Sequence, residues 1–99
     1  MTKRRSYPIR ITVNGLLIEQ VVIDPHYELK HTESVDDDLI LELVSLLDGK
    51  FYEAAAAKDG FQYFVADLLD HAKRNYRLVW LLEDRMLYVG VVNAFRRRQ

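Results

Sequence analysis

The alternation of apolar and polar residues predicts β-structure at the N-terminal end of the chain. Residues 9–13 alternate between the two classes and are rich in β-branched side chains, which is typical of a half-buried strand. Asn14 and Gly15 follow, and this pair suits the two-residue hairpin turn in which both residues take a positive φ. We therefore expect a hairpin whose second strand covers residues 16–23.

The apolar spacing then changes from the period of a strand to that of a helix. The apolar positions that fall on one half of a helical wheel are Val35, Leu39, Ile40, Leu43, Val44, Leu46 and Leu47. Ser34 is placed to cap this helix, three aspartates occupy its first turn, and Gly49 follows its last residue. The pattern predicts one main amphipathic helix over residues 35–48.

Two shorter segments also favour helix. Asp24 and Pro25 form a helix-start signal and predict a short helix over residues 26–30. Four consecutive alanines lie within residues 51–58, and alanine is the strongest helix former. We expect a second short helix there.

The C-terminal third contains the clearest strand signals. A strand is expected over residues 61–66, followed by a polar connection over 67–75. Residues 76–83 and 86–95 predict two further strands joined by a tight turn. Both faces of this hairpin are apolar at mid-strand, which indicates a central position in a sheet, and Gly90 indicates a bulge or a close approach by a neighbour.

These elements predict an α+β fold with a single domain over residues 1–99. The expected architecture is a twisted antiparallel sheet of about four to five strands with the helix 35–48 packed on it. Hydrophobic residues make up 49% of the 99 positions, enough for one core, and there is no cysteine. The absence of cysteine fits a cytoplasmic protein, and no apolar run approaches the roughly 18 residues that a membrane span requires.

Charge is segregated along the chain. Residues 1–18 carry a net charge of +4, residues 19–70 carry −10, and residues 71–99 carry +5. If both ends lie in the sheet and the middle forms helices, the domain is electrostatically two-sided and its positive side attracts polyanions. Mutual attraction between sheet and helix is the alternative explanation.

Several kinds of site are excluded or disfavoured by the residues themselves. There is no glycine-rich phosphate loop, so no nucleotide cofactor is expected. His26 and His31 are five residues apart, which does not suit a helical metal pair, and no metal site is expected. His31 is the best placed candidate for general acid–base chemistry, against the simpler interpretation of a solvated loop histidine.

Arginines at the ends of the C-terminal hairpin are the main functional candidates. Arg77 begins one strand, and Arg96 and Arg97 follow its antiparallel neighbour, so all three should meet at one edge of the sheet. Lys73 and Arg74 in the preceding loop extend the cluster. Guanidinium groups bind phosphate bidentately and stabilise developing negative charge, so RNA or another polyanion is the natural ligand. A basic C-terminus that only aids solubility is the alternative.

The same hairpin resembles that of the RelE/ParE-like toxin superfamily. The resemblance is carried by Tyr76-Arg77 at the start of one strand and by residues 87–97, which end in Arg96-Arg97. It implies a metal-independent endoribonuclease, or a catalytically weakened relative, acting on RNA or the ribosome and paired with an antitoxin-like protein. Arg77 and Arg96 would hold phosphate, with Arg97 as a third.

Two features depart from the family pattern. One helix and an alanine-rich segment stand where a helical hairpin usually precedes the sheet, and no Tyr or His follows Arg97. Tyr88 and His31 are substitutes for the missing catalytic residue only if the fold brings them to the arginines.

A non-enzymatic module is the alternative function, one that uses its two-sided apolar sheet for self-association or for a protein partner. The two hypotheses differ in geometry. Arg77 and Arg96 within one concave, positive surface would favour RNA chemistry, whereas guanidinium groups that point apart would favour the interaction module.

Overall fold

The computed structural model of this chain describes residues 4–23 and 35–97, and confirms the α+β class. The elements in chain order are β1 (Arg5–Val13), β2 (Leu16–Ile23), α1 (Asp37–Ser45), β3 (Ala56–Lys58), β4 (Phe61–Leu69), β5 (Asn75–Glu83) and β6 (Tyr88–Arg96). The predicted helix over 26–30, the predicted cap Ser34 and the candidate His31 lie outside the described residues.

One curled sheet contains all six described strands, in the order β1-β2-β6-β5-β4-β3. The prediction of a wholly antiparallel sheet of four to five strands is wrong in two respects. There are six strands in the described part of the chain, and β2 pairs with β6 in parallel. Alternation of apolar and polar residues reports which face is buried but not the direction of the neighbouring strand, so it cannot reveal a parallel pair.

The N-terminal hairpin forms as its turn residues predict. Asn14 and Gly15 both have positive φ, at 53° and 76°, as the two-residue turn requires. The first strand starts earlier than the alternation indicated, at Arg5, and the register of β1 on β2 shifts between Pro8 and Ile11. This irregularity lies on an edge strand, where bulges and proline are tolerated.

The main helix is shorter than the predicted range of 35–48. Its N-cap is Asp36, whose side chain accepts a hydrogen bond from the backbone N–H of Leu39 at 2.9 Å. The helix ends at Ser45 because the backbone after it bonds to β1 instead. The Gly49 N–H donates to the Thr12 carbonyl at 2.6 Å, and Lys50 forms an isolated parallel β-bridge with Val13. Gly49 takes the predicted positive φ, 78°.

No helix within the described ranges is long and apolar enough to cross a membrane.

Residues 51–58 do not form the predicted helix. The Asn14 side chain holds the backbone of Tyr52 in both directions, accepting from its N–H at 2.7 Å and donating to its carbonyl at 3.1 Å. Residues 56–58 then pair with β4 as β3. Helix propensity is a weak preference in a segment of about two turns, and these pairings outweigh it.

The C-terminal strands lie at the centre of the sheet, as their two apolar faces predicted. The strand β4 continues to Leu69, so the connection to β5 is only residues 70–74 rather than 67–75. The register between β5 and β6 shifts at mid-strand. Trp80 pairs with Val91, whereas the preceding residue, Val79, pairs with Asn93, so Val92 is the extra residue of a bulge.

The core lies between α1 and one face of the sheet, which we call the inner face. It comprises Ile40, Leu43, Val44 and Leu47 of the helix with Ile18, Val21, Phe64, Leu78, Trp80, Val91 and other buried sheet residues. Trp80 is fully buried, as expected of a core aromatic. Its ring stacks on Phe64 with centroids 4.2 Å apart and receives the edge of Tyr52 at 5.5 Å, geometries that aromatic pairs prefer.

The opposite face of the sheet, which we call the outer face, bears Val22, Tyr63, Val65, Arg77, Val79 and Leu81. Since α1 is the only helix of the described ranges and lies on the inner face, no described helix covers this one. Gly90 is its close-approach position: an added Cβ would lie 2.7 Å from Leu81 Cδ1. The close approach indicated by the sequence is thereby confirmed.

The first turn of α1 is fastened to β1 through Asp37. Its carboxylate accepts from Arg5 Nε at 2.6 Å and from Arg5 Nη2 at 2.8 Å, and the Tyr7 hydroxyl donates to it as well. The hydrogen bond to Asp37 raises the pKa of Tyr7, with desolvation as a lesser cause. Asp37 follows Tyr7 by 30 positions and Arg5 by 32 positions in the chain, so these long-range contacts orient the helix on the sheet.

We expect Asp37→Ala to destabilise the fold by about 1–3 kcal/mol, because it removes the carboxylate that accepts from both a half-buried guanidinium and a hydroxyl. The matched control is Asp38→Ala, which removes an acid from the same helical turn but at an exposed position; it should cost about 0.5 kcal/mol or less. Urea unfolding, followed by the fluorescence of the single tryptophan Trp80, measures both. Equal losses would contradict an anchoring role for Asp37.

Candidate nucleic-acid interface

The predicted basic residues meet at one end of the sheet, where β4 ends, β5 begins and β6 ends. We call this the arginine edge, and it comprises Lys73, Arg74, Arg77, Arg96 and Arg97. The pairing of Tyr76 with Arg96 and of Arg77 with Phe95 places the two strand ends side by side. The hairpin geometry that the sequence indicated is therefore present.

Arg77 and Arg96 nevertheless lie on opposite faces. Arg77 faces Phe95 on the outer face, whereas Arg96 faces Tyr76, which is buried in the core. Because cross-strand partners share a face and successive residues alternate, the two guanidinium groups do not belong to one surface. Guanidinium groups that point apart are the geometry expected of an interaction module, whereas RNA chemistry was expected to place Arg77 and Arg96 on one concave surface.

Arg97, rather than Arg96, lies beside Arg77. Arg77 donates to Asp67 from Nε to Oδ1 at 2.9 Å and from Nη2 to Oδ2 at 3.3 Å, and Arg97 Nη1 donates to Oδ2 at 3.0 Å. The side chains are 35%, 44% and 49% exposed for Arg77, Arg97 and Asp67. The hydrogen bond from Arg77 is the main cause that lowers the pKa of Asp67. Two guanidinium groups thus share one carboxylate, which leaves one unit of positive charge.

Arg74 has a structural role in the loop between β4 and β5. The Asp70 side chain is fully buried and accepts from the backbone N–H groups of Ala72 and Arg74 and from Arg74 Nε, each at 2.9 Å. Desolvation raises the pKa of Asp70, but the hydrogen bonds and charge of Arg74 outweigh it and the net shift is downward. Lys73 lies at the exposed tip of this loop with a φ of 63°.

Tyr88 lies at the far end of β6, about 23 Å along the strand from Phe95 at ~3.3 Å per residue. Its hydroxyl donates to Glu83 Oε1 at 2.5 Å. Desolvation, together with the hydrogen bond to Glu83, raises the pKa of Tyr88 to about 12. The fold therefore does not bring Tyr88 to Arg77, and a phenol with this pKa stays protonated at neutral pH.

Between Tyr88 and the arginine edge, the outer face contains a concavity of about 410 Å³. One row across the sheet, Val22–Gly90–Leu81–Tyr63, forms its base, and the Leu81 side chain packs closely against Gly90. Phe61 lies beside Tyr63, with ring centroids 6.5 Å apart. Arg4, Glu83 and Tyr88 supply polar groups at its rim.

Charge is distributed unevenly between the two sides of the described sheet. The helical side carries Asp36, Asp37, Asp38, Glu42 and Asp48, with Arg5 and Arg96 on the same side. On the outer face, Arg4, Lys58, Arg77 and Arg97 stand against Asp67 and Glu83. The condition set by the sequence is met only in part, because the acidic middle of the chain also supplies β3 and β4, including Asp67, to the sheet.

Sequence reasoning missed the acidic partners of this region. Asp67 continues the alternation of Phe61, Tyr63 and Val65. Had the predicted strand over residues 61–66 been extended to residue 69, Asp67 would have been expected on the same face, opposite Arg77. Glu42 of α1 accepts from the backbone N–H of His71 at 2.8 Å and lies 3.1 Å from the His71 imidazole Nδ1. That contact depends on the helix packing and has no local signal.

Among residues 4–23 and 35–97, no three metal-ligating side chains are grouped as a metal site requires.

Comparison with protein-family models, with curated proteins and with solved structures finds no match to this chain.

The buried carboxylate of the β4–β5 loop gives a pH-dependent prediction. Because the folded-state pKa of Asp70 is lowered, its stabilisation is present above the unfolded value of about 3.9 and is lost as the pH falls through the folded value. We expect Asp70→Asn to be less stable than the parent at neutral pH, with a difference that shrinks toward about pH 3. Urea midpoints across this range measure it.

The control for this experiment is Asp84→Asn, at an exposed turn position of the β5–β6 hairpin. Its difference from the parent should be small and should not follow the same profile. A constant deficit of Asp70→Asn at every pH would contradict the electrostatic explanation and leave only a geometric one.

Proposed function

We propose that this chain is a RelE-like, RNA-directed protein that binds single-stranded RNA across the outer face of its sheet. The observation that carries the proposal is the cluster of Arg77, Asp67 and Arg97, half-exposed beside an uncovered face that bears aromatic rings. The positive charge of this face relative to the helical side supports the same choice of ligand.

Arg77 and Arg97 provide the phosphate contacts in this proposal. Each guanidinium is a planar fork of N–H donors that matches a phosphate group. Asp67 pre-positions both forks by accepting from them, which lowers the entropy lost on binding. A phosphate must compete with that carboxylate, so the cluster favours moderate affinity over tight binding.

Aromatic rings on the same face provide the base contacts. Phe61, Tyr63 and Phe95 are half-buried side chains on the outer face, so part of each ring is open to solvent. Bases stack on such rings with little dependence on sequence, and this stacking is worth about 1–3 kcal/mol per base. A single strand crossing from Phe61 toward Phe95 runs along β4 and β6 and ends at the arginine cluster.

The RelE-like part of the proposal rests on the hairpin, with Arg77 at the start of β5 and the basic residues at the end of β6. The catalytic part is weaker. Asp67 is the only carboxylate that bonds Arg77 in the described residues, and its lowered pKa makes it a poor general base. We therefore propose a catalytically weakened relative, whose effect on cells would come from RNA binding.

We expect Arg77→Gln and Arg97→Gln each to weaken binding of a labelled single-stranded RNA of about 12 nucleotides by roughly fivefold at ~0.1 M salt, and to reduce the salt slope by about one. Fluorescence anisotropy measures both quantities. The matched control is Arg96→Gln, an arginine of the same edge on the opposite face, which should bind as the parent does. Asp67→Asn should tighten binding, because it releases both guanidinium groups.

Two outcomes would contradict the proposal. The parent protein does not bind RNA at all, or Arg77→Gln equals the parent in RNA binding, in RNA cleavage and in growth inhibition on expression. A loss in Arg96→Gln equal to that in Arg77→Gln would instead favour a site spanning the edge of the sheet.

A protein-interaction module is the second candidate function. The separation of Arg77 and Arg96 on opposite faces favours it, as does the uncovered apolar outer face, where Val65 is 45% exposed. In this case the occupant is a second copy of the chain or an antitoxin-like protein. Large exposed apolar patches commonly mark such interfaces.

Sedimentation of the pure protein tests this second candidate. Self-association through the outer face predicts a mass that rises with concentration toward a dimer, and Val65→Glu should return it to the monomer because a charge would be buried without a partner. The control Leu17→Glu changes an exposed leucine on β2, away from the centre of that face. A monomer at all concentrations that binds no peptide would count against the module.

A further inference from the structure

We infer that the concavity over Gly90 is a guanine-specific subsite, in which Glu83 and Tyr88 read the base while Arg4 contacts the adjoining phosphate. The inference rests on the proposed RNA-binding function and deepens it. It assigns sequence selectivity to a region that lies apart from the phosphate contacts at Arg77 and Arg97.

The shape of the concavity suits one flat ring. Tyr63 and Phe61 form the wall on β4, Val22 and Arg4 form the wall toward β2, and Leu81 and Gly90 form the floor. Its volume of about 410 Å³ lies near the lower end of the ~300–1,000 Å³ range of small-ligand sites. That volume holds a single nucleotide, with the base between an aromatic wall and an aliphatic one.

Gly90 is necessary for this shape. A Cβ at position 90 would lie 2.7 Å from Leu81 Cδ1 and 2.9 Å from Leu81 Cγ. Any larger residue would therefore force the Leu81 side chain, which lines the concavity, out of its present position. Glycine at mid-strand costs stability relative to other residues, and the room it gives the Leu81 side chain, which forms the floor of the concavity, is a reason for its presence here.

The polar groups of the concavity determine which base fits. The Tyr88 hydroxyl donates its proton to Glu83 Oε1 at 2.5 Å, so the tyrosine oxygen is left as an acceptor. Across the part of the chain that the structure describes, Tyr88 is the only donor bonded to the side-chain carboxylate of Glu83, and an ionised carboxylate only accepts. The pair therefore presents acceptors alone to a ligand.

Guanine is the base whose Watson–Crick edge matches two neighbouring acceptors. It offers the N1–H and the N2 amino group side by side, and both donate. Adenine and cytosine place a ring-nitrogen acceptor next to their amino group, and uracil flanks its single N–H with two carbonyl oxygens. Each of these three would bring an acceptor toward Glu83 or Tyr88, which costs free energy when no donor compensates.

Arg4 completes the subsite as a contact for the sugar–phosphate backbone. It lines the same concavity as Glu83 and Tyr88. The three polar groups are thus close enough to act on one nucleotide. A carboxylate for the base and a guanidinium for the phosphate match the two ends of a guanine nucleotide.

The test compares uridine oligomers of about eight nucleotides that carry one central G, A, C or U, using anisotropy with the parent protein. We expect the G oligomer to bind about fivefold or more tightly than the other three, the lower end of what a bidentate base contact provides. In Glu83→Gln this ratio should fall toward one, since an amide presents a donor as well as an acceptor. Asp84→Asn, the next carboxylate along the chain, is the matched control and should keep the ratio.

A second measurement uses the nucleotide alone, so that the two proposals fail separately. Titration of the parent with 5′-GMP and with 5′-AMP, followed by calorimetry, should show binding of GMP only, and the Glu83→Gln protein should not distinguish them. Because the preference of the parent is itself measured, a Glu83→Gln protein that does not fold leaves the inference testable.

The combined results on RNA binding and GMP binding test the guanine subsite and the RNA-binding function separately. RNA binding without a preference for G overturns the guanine subsite and leaves the RNA-binding function in place. GMP binding that depends on Glu83, without RNA binding, supports the subsite and overturns the RNA-binding function. If neither RNA nor GMP binds, both are overturned.

Discussion

The register between β5 and β6 is the constraint on which the rest of the arrangement depends. The single extra residue of the bulge, Val92, shifts every later position of β6 by one relative to β5. Because the side-chain period of a strand is two, such a shift exchanges the two faces. Without the bulge, Arg96 would stand on the outer face with Arg77; with it, Phe95 and Arg97 stand there. The same shift places Ala94 in the core.

The composition of the core and that of the outer face consequently follow from the same strand register. Trp80, Phe64 and the apolar residues of α1 fill the inner face, where large side chains interdigitate without a polar group from the arginine edge. The outer face bears the sheet residues that do not pack in this core, namely half-buried aromatics, a glycine and charged residues. Asp37 contributes by fixing the helix to β1 through Arg5, which leaves the opposite face of the sheet without a covering helix in the described residues.

The sequence was informative where short-range chemistry decides the structure. The Asn14–Gly15 turn, the bounds of β2, the central position of β5 and β6 and the close approach at Gly90 follow from local residue types and alternation. It was misleading where distant pairings decide. The alanine segment became β3 because Asn14 and β4 bind it, and the parallel pair of β2 and β6 has no local signature. For the site, the meeting of Arg77 with Arg97 depends on one bulge, and no alternation argument could place it.

The Arg77–Asp67–Arg97 cluster has a consequence for how an RNA complex would respond to ionic strength. In most nucleic-acid interfaces, affinity falls steeply with salt because the phosphates release their condensed cations when arginines neutralise them. Here a carboxylate tethered to the neighbouring strand already neutralises part of the arginine charge, and it is present at a high effective concentration whatever the solution contains. Because the cluster as a whole carries one positive charge, it would release fewer cations from RNA than two unpaired arginines would. In the proposed RNA complex, Asp67 would therefore compete with the phosphate, moderate binding in dilute buffer and make binding less sensitive to the salt content of the surroundings.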